Sequence, residues 1–146
     1  MIDFIIHTDG GARGNPGPAA IGFVIANRER KVVKEYGEYI GKTTNNDAEY
    51  QAIISALKKL KSLIGKTKAK QTTIKVFMDS ELVVKQITGL YKVENENIQK
   101  LFLQLWNVKI DFKKVEFEAI KREQNKDADR LVNEALDAEV GKRRLF

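Results

Sequence analysis

Apolar residues recur along this chain first with the spacing of strands and then with that of helices. Residues 2–8 form a short apolar run, and residues 20–27 (AIGFVIAN) and 31–40 (KVVKEYGEYI) form two more, joined by the polar turn NRER. Such runs, bounded by turn residues, read as strands, and the tight connection predicts an antiparallel meander. After GKTTNN the spacing changes: Ile53, Ala56, Leu57, Leu60 and Ile64 fall on one side of a helix over 47–63, which Asn46 or Asp47 can cap. Residues 65–71 read as a basic loop, and 73–80 (TIKVFMDS) as a strand reaching Asp79. Ser80 then caps a short helix, ELVVKQITG, which Gly89 stops. A helix over 94–110 carries Ile98, Leu101, Phe102, Leu105 and Val108; VEFEAIKR reads as a last strand and NKDADRLVNEALDAEV as a last helix. Strands separated by helices pair in parallel. The order βββαβα(α)βα therefore predicts an α/β fold: a five-stranded mixed sheet, three antiparallel strands then two parallel additions, with helices on both faces.

Composition narrows the class. The 146 residues show no internal repeat and no linker, and both prolines, Pro16 and Pro18, lie in the opening stretch, so one domain over 1–146 is expected, with a short basic tail from about residue 141. With 42% hydrophobic and 32% charged residues, a disordered chain is excluded. No apolar run is long enough to cross a bilayer and the N-terminus lacks the parts of a signal peptide, so a cytoplasmic protein with no membrane partner is expected. The absence of cysteine excludes disulfides and thiolate metal sites. A net charge of +6 favours a polyanionic partner, although a merely soluble basic surface explains the charge equally well.

Four acids carry the candidate chemistry. Ligands in open α/β sheets sit beyond the carboxyl ends of parallel strands, and Asp9 follows IIHT while Asp79 follows KVFM. Glu49 is in line with Ile53, Ala56 and Leu60 at a helix start, and Asp129 shares a helix face with Val132 and Leu136. Singly, each acid also reads as a turn residue, a helix-dipole partner or a solvated charge. Jointly, carboxylates converging at about 4 Å repel by roughly 4 kcal/mol per pair at an effective dielectric of 20, a cost that divalent cations remove. An oxygen-only donor set points to Mg²⁺ or Mn²⁺ rather than zinc. Two such ions about 3.5–4 Å apart support in-line phosphodiester hydrolysis.

The blocks TDGGARGNPGP, TTNNDAEYQAI, VFMDSELVV and REQNKDADRL, in this order, resemble the four sequence blocks of the type 1 ribonuclease H family, over nearly the whole chain. The resemblance implies a ribonuclease H-like fold and an endonuclease that cuts the RNA strand of RNA/DNA hybrids, leaving 5′-phosphate and 3′-hydroxyl ends. It implies that Asp9, Glu49, Asp79 and Asp129 ligate two Mg²⁺ ions, with Mn²⁺ a possible substitute. Gly10, Gly11 and Ala12 match positions where the family approaches the RNA ribose, Asn15, Asn45 and Asn46 match minor-groove contacts, and Thr44 matches a DNA-phosphate contact. The asparagines also suit turns and helix caps. Ser80 and Glu81 match substrate-contacting positions, and helix capping explains Ser80 equally.

Two departures stand out. Many bacterial members place a histidine in the loop before the last acid; here that loop is KREQNKDAD, with Arg122 or Glu123 nearest, and the Arg122 guanidinium is expected to take part of the role near the scissile phosphate. Only LYKV separates Gly89 from Glu94, so the basic handle of many relatives is absent. Lys58, Lys59, Lys61, Lys66, Lys68 and Lys70 then either help to hold the hybrid or form a plain solvated edge, and the latter is the simpler reading. The C-terminal KRRLF suits phosphate contact, partner docking or packing. His7 shares a strand face with Asp9 and reads mainly as a packed residue. Some short members also cut double-stranded RNA. The expectation is a monomeric hybrid-cutting nuclease; the rivals are a non-catalytic nucleic-acid-binding module of the same fold and a transposase-like nuclease.

Overall fold

The computed structural model describes residues 1–145, with side chains through residue 142, and resolves the strand pattern into one sheet of order β3-β2-β1-β4-β5. Strands β1 (Phe4–Ala12), β2 (Gly17–Asn27) and β3 (Val32–Thr43) pair antiparallel. Strands β4 (Thr73–Met78) and β5 (Lys114–Ala119) add in parallel on the far side of β1. The expected mixed sheet is therefore the observed one.

Strand alternation sends Ile6, Phe23, Ile25, Ile74, Val76 and Met78 to one face, where they are buried under α1 (Asn45–Ile64), α3 (Glu81–Ile87) and α4 (Glu96–Ile110). Ile53, Ala56, Leu57 and Leu60 of α1 meet Leu101, Leu105 and Val108 of α4 in that layer. The opposite face is covered over β1–β3 by α5 (Lys126–Leu145), whose Val132 and Leu136 pack on Ala20. The approach of α5 requires glycine beneath it, since a Cβ on Gly22 would lie 2.6 Å from the carbonyl oxygen of Ala128.

Element ends differ from the sequence expectation where local capping decides. Thr44, not Asn46 or Asp47, caps α1, its hydroxyl accepting from the Asp47 amide at 3.2 Å. The expected basic loop holds a one-turn helix, α2 (Lys66–Ala69), and α4 starts at Glu96 because the Asn95 side chain caps it. The last strand stops at Ala119, since Arg122–Gln124 form a 3₁₀ turn. Helix α5 continues beyond residue 140 to Leu145, so the basic tail begins inside it; the expected contacts of KRRLF fall, past Lys142, on side chains outside the described residues.

Candidate active site

The sheet presents its acids where parallel pairing stops. The β1–β4 register ends at His7↔Phe77, and Asp79 follows β4 directly. Asp9 corrects the expectation of a strand end: β1 runs on to Ala12, held there by β2 alone, with Asp9 opposite Gly22. Glu49 arrives from the first turns of α1, which lies directly on β1. A Cβ on Gly10 would stand 2.3 Å from the carbonyl carbon of Ala48, so only glycine admits the helix there. One carboxylate oxygen from each of Asp9, Glu49 and Asp79 lies within 4.8 Å of the others. Asp129, half-buried on α5, lines the same cleft of about 540 Å³ but lies outside that tight trio.

Burial and mutual repulsion dominate the electrostatics. Burial pushes the Asp9 carboxyl up to about 8, helped by the neighbouring charges of Asp79 and Asp129. Glu49 is held well above the usual carboxylate range by burial and then by Asp9 and Asp79. Asp79 is raised by burial, against the opposing pull of the Arg122 guanidinium and of a hydrogen bond from Asn125. The Oε2 atom of Glu49 is buried with no hydrogen-bond partner, an arrangement that costs free energy unless a cation or donor meets it. An all-oxygen donor set with one orphaned buried oxygen suits a hard divalent cation, and no sulfur or imidazole in the cleft favours a softer one.

The other sequence candidates separate into groups. Gly10, Gly11, Ala12, Asn45 and Arg122 line the cleft with the acids. Arg122 Nη2 lies 3.5 Å from Asp129 Oδ1, on a side chain that is 78% exposed and so open to a ligand. Asn15 and Asn45 brace the site's edges: Asn15 Oδ1 accepts from the Asn45 amide at 3.0 Å, and Asn45 Oδ1 accepts from the Ala12 amide at 2.8 Å. Asn46 is half-buried in the first turn of α1, Thr44 caps that helix, and the Ser80 hydroxyl caps α3 by accepting from the Val83 amide at 3.2 Å. Gly10 lines the cleft and also packs so closely on the Ala48 backbone of α1 that packing alone already requires glycine there. His7 stacks on Phe77 with ring centroids 5.2 Å apart and lines a different cleft. The lysines from Lys58 onward sit toward the opposite end of α1.

Sequence reasoning missed Asn125, Arg13 and Asp47. Asn125 is buried, donates to the Thr8 carbonyl at 2.9 Å and also reaches the Asp79 carboxylate, tying the segment before α5 to the strand that carries Asp9. Arg13 lines the cleft while pairing with Asp137 at 2.7 Å. Asp47 is buried and accepts from Gln51 and Asn97, joining the start of α1 to that of α4. An amide among six charged or amide neighbours, as Asn125 is, carries no periodic signal. Only the weak surface expectation for Asp47, violated by burial, marks a residue with partners.

Comparison with known proteins matches these features. Residues 7–135 match the family model described as reverse transcriptase-like. The structure of LC11-RNase H1, isolated from compost by a metagenomic approach, superposes with a TM-score of 0.87 at 44% identity, covering 96% of this chain and 99% of that one. A structure of LC11-RNase H1 in complex with an RNA/DNA hybrid gives a TM-score of 0.88 at 45% identity, covering 94% and 99%. RNase H1 from Halobacterium salinarum gives 0.85 at 35% identity over 92% of this chain and 98% of that one. Among curated relatives, the bifunctional protein Rv2228c of Mycobacterium tuberculosis is 41% identical over 135 residues, which cover 92% of this chain. The chain spans only 35% of that relative's length.

Proposed function

Because the chain belongs to the type 1 ribonuclease H family, we propose that it is an endonuclease that hydrolyses the RNA strand of RNA/DNA hybrids in a reaction dependent on divalent metal. The observation that carries this reading is the convergence of three buried or half-buried carboxylates within 4.8 Å, one with an orphaned oxygen, at the floor of an open cleft. Such a set is costly by itself and is relieved by cations. Asp9, Glu49 and Asp79 would hold Mg²⁺, or Mn²⁺ in its place, with Asp129 contributing from α5. Two bound ions would supply activation of water and charge stabilisation at the departing oxygen, giving 5′-phosphate and 3′-hydroxyl ends.

The chain's own residues do the remaining work. Asn15 and Asn45 hold the β1–β2 turn against α1, fixing the backbone of Gly11 and Ala12 at the cleft. A backbone so placed can meet a ribose 2′-hydroxyl, the group that separates RNA from DNA. Thr44, Asn46 and Ser80 stand at the first turns of two helices, where free amides favour a phosphate. Arg122, exposed at the rim, presents a guanidinium to the scissile phosphate and draws Asp79 toward its charged form. The chain acts as a monomer in this reading, and the net charge of +6 suits a polyanionic duplex. Among the described residues no helix is long and apolar enough to cross a membrane.

The test is cleavage of an end-labelled RNA/DNA hybrid, with RNA duplex and DNA duplex as controls, across Mg²⁺ and Mn²⁺. The expected result is internal cuts in the RNA strand of the hybrid, abolished by chelator, with DNA intact. Cleavage of RNA duplex has no observation in its favour and enters as a control. Hybrid binding without cleavage in either metal would favour the non-catalytic module, and cutting of DNA would favour the transposase-like reading.

A further inference from the structure

The cleft that holds the acids extends beyond them, along α5 from Asp129 past Asn133 to Arg13 on the turn between β1 and β2. It carries two guanidinium groups. Arg122 Nη2 lies 3.5 Å from Asp129 Oδ1, while Arg13 Nη2 lies 2.7 Å from Asp137 Oδ1 and 3.4 Å from Asn133 Oδ1. Asp137 stands eight residues beyond Asp129, about 12 Å along the helix at 1.5 Å per residue. The two cations therefore occupy separate points of one cleft, and the proposed function uses only Arg122.

The position of Arg13 is fixed by the chain around it. Its amide donates to the Pro18 carbonyl at 2.8 Å, and the turn folds back so tightly that a Cβ on Gly17 would stand 2.1 Å from the Arg13 carbonyl oxygen. The preceding amide, of Ala12, is held by Asn45. The Arg13 stem borders a small apolar hollow with Pro18, Leu136 and Val140. Stability does not explain the charge at its tip, because an ion pair whose side chains are 44% and 69% exposed contributes little. Both side-chain hydrogen bonds use Nη2, and among the described residues Nε and Nη1 carry none. A guanidinium with donors left over beside an open cleft suits bidentate capture of a phosphate.

We propose that Arg13 grips a phosphate of the RNA strand other than the scissile one, taking it in exchange for the carboxylate of Asp137. The proposal rests on the hybrid-cutting reading of the acidic cleft and adds a second phosphate anchor to it. The strand follows from the neighbours: the backbone of Gly11 and Ala12, set against a ribose 2′-hydroxyl in that reading, leads directly into Arg13. The strand whose ribose lies there is the one whose phosphate Arg13 reaches. Arg122 at the cut and Arg13 along the cleft then hold one strand at two points, which fixes its register over the acids. Asp137 occupies the guanidinium in the free chain, so it competes with the phosphate and does not assist it.

The experiment is fluorescence anisotropy of a labelled RNA/DNA hybrid in chelator, titrated with the full chain across a salt series, beside steady-state cleavage in Mg²⁺. Arg13→Ala should weaken hybrid binding about tenfold and flatten the slope of log affinity against log salt by about one. Its KM should rise while kcat stays within about twofold of the parent. Asp137→Ala should bind hybrid at least as tightly as the parent, whereas a merely structural ion pair would make the two variants weaken alike. On hybrids whose DNA strand stays full length while the RNA strand is shortened one nucleotide at a time, the advantage of the parent over Arg13→Ala should vanish at one step. Thermal unfolding followed by circular dichroism verifies that both variants fold like the parent. Parental affinity and salt slope in Arg13→Ala, equal weakening in the two variants, or an advantage that survives every shortening overturns the proposal. A parent that cuts hybrid with Arg13 dispensable overturns this proposal alone; a parent that neither binds nor cuts hybrid overturns the nuclease reading and the proposal with it.

Discussion

Replacing Asp9 by asparagine is expected to make the metal-free protein more stable while removing its proposed activity. The carboxyl is pushed up to about 8 in the folded state, against an ordinary value of 3.8, chiefly because it is buried and then because Asp79 and Asp129 face it. The folded protein thus holds this proton more tightly than the unfolded chain does. Stability falls as pH rises from near 4 toward about 8 and levels off above that range. At 1.36 kcal/mol per unit, the three units between about 4 and pH 7 correspond to a penalty of about 4 kcal/mol. Glu49 and Asp79 titrate together with Asp9 and readjust once it is neutral, so about half of this, ~2 kcal/mol, is the expected gain. For a chain of this length the gain raises Tm by about 6 °C. The assay is thermal unfolding followed by circular dichroism, with chelator, at pH 7.5 and pH 4.5: Asp9→Asn should melt higher at pH 7.5, with the gap narrowing at pH 4.5. Adding Mg²⁺ should stabilise the parent selectively, because an ion that binds only the folded acids shifts unfolding by mass action. Equal melting of variant and parent in chelator at pH 7.5, or an equal Mg²⁺ effect on both, would refute the reasoning.

Neighbouring glycines separate packing from chemistry. Gly10→Ala forces a Cβ to 2.3 Å from the Ala48 backbone and should cost about 3 kcal/mol, whereas at Gly11 the nearest atom is Val132 Cγ1 at 3.8 Å and alanine should change urea-unfolding stability by less than about 0.5 kcal/mol. Asn125→Ala removes the donor to the Thr8 carbonyl and should lower stability by about 1–3 kcal/mol, read as a shifted urea midpoint with an unchanged m-value. Arg122→Ala, on an exposed side chain, should leave the melting temperature alone and lower hybrid turnover about tenfold; parental steady-state rates would remove Arg122 from the reaction.

The sheet was legible because strand spacing and connection length constrain it strongly. Alternation placed Ile6, Ile74 and Val76 on one face, and the helix between β3 and β4 required a crossover to a parallel strand. The inward position of Glu49 followed from helix periodicity, since it lies in register with buried Ile53, Ala56 and Leu60, whereas Asp9 was legible from its place after an apolar run. What failed was local: Thr44 outcompeted Asn46 and Asp47 as the α1 cap, and one helical turn formed in a segment too short for periodicity to register. Contacts between distant segments had no signature in the sequence. Gly22 reads as an ordinary strand glycine until Ala128 of α5 is found above it, and Asn125 as a loop amide until its nitrogen is found on Thr8. Periodicity tells which face a residue takes and not which residue meets it there.

The most direct test of the central claim, that the buried acids form a metal-dependent site for hybrid cleavage, is the Glu49→Gln variant, which keeps the shape of the orphaned side chain and removes its charge. Its single-turnover cleavage of a labelled RNA/DNA hybrid at saturating Mg²⁺ should fall by at least about a hundredfold, the scale of losing one electrostatic stabiliser, with hybrid affinity retained in chelator. Cleavage within a few-fold of the parent would contradict the account.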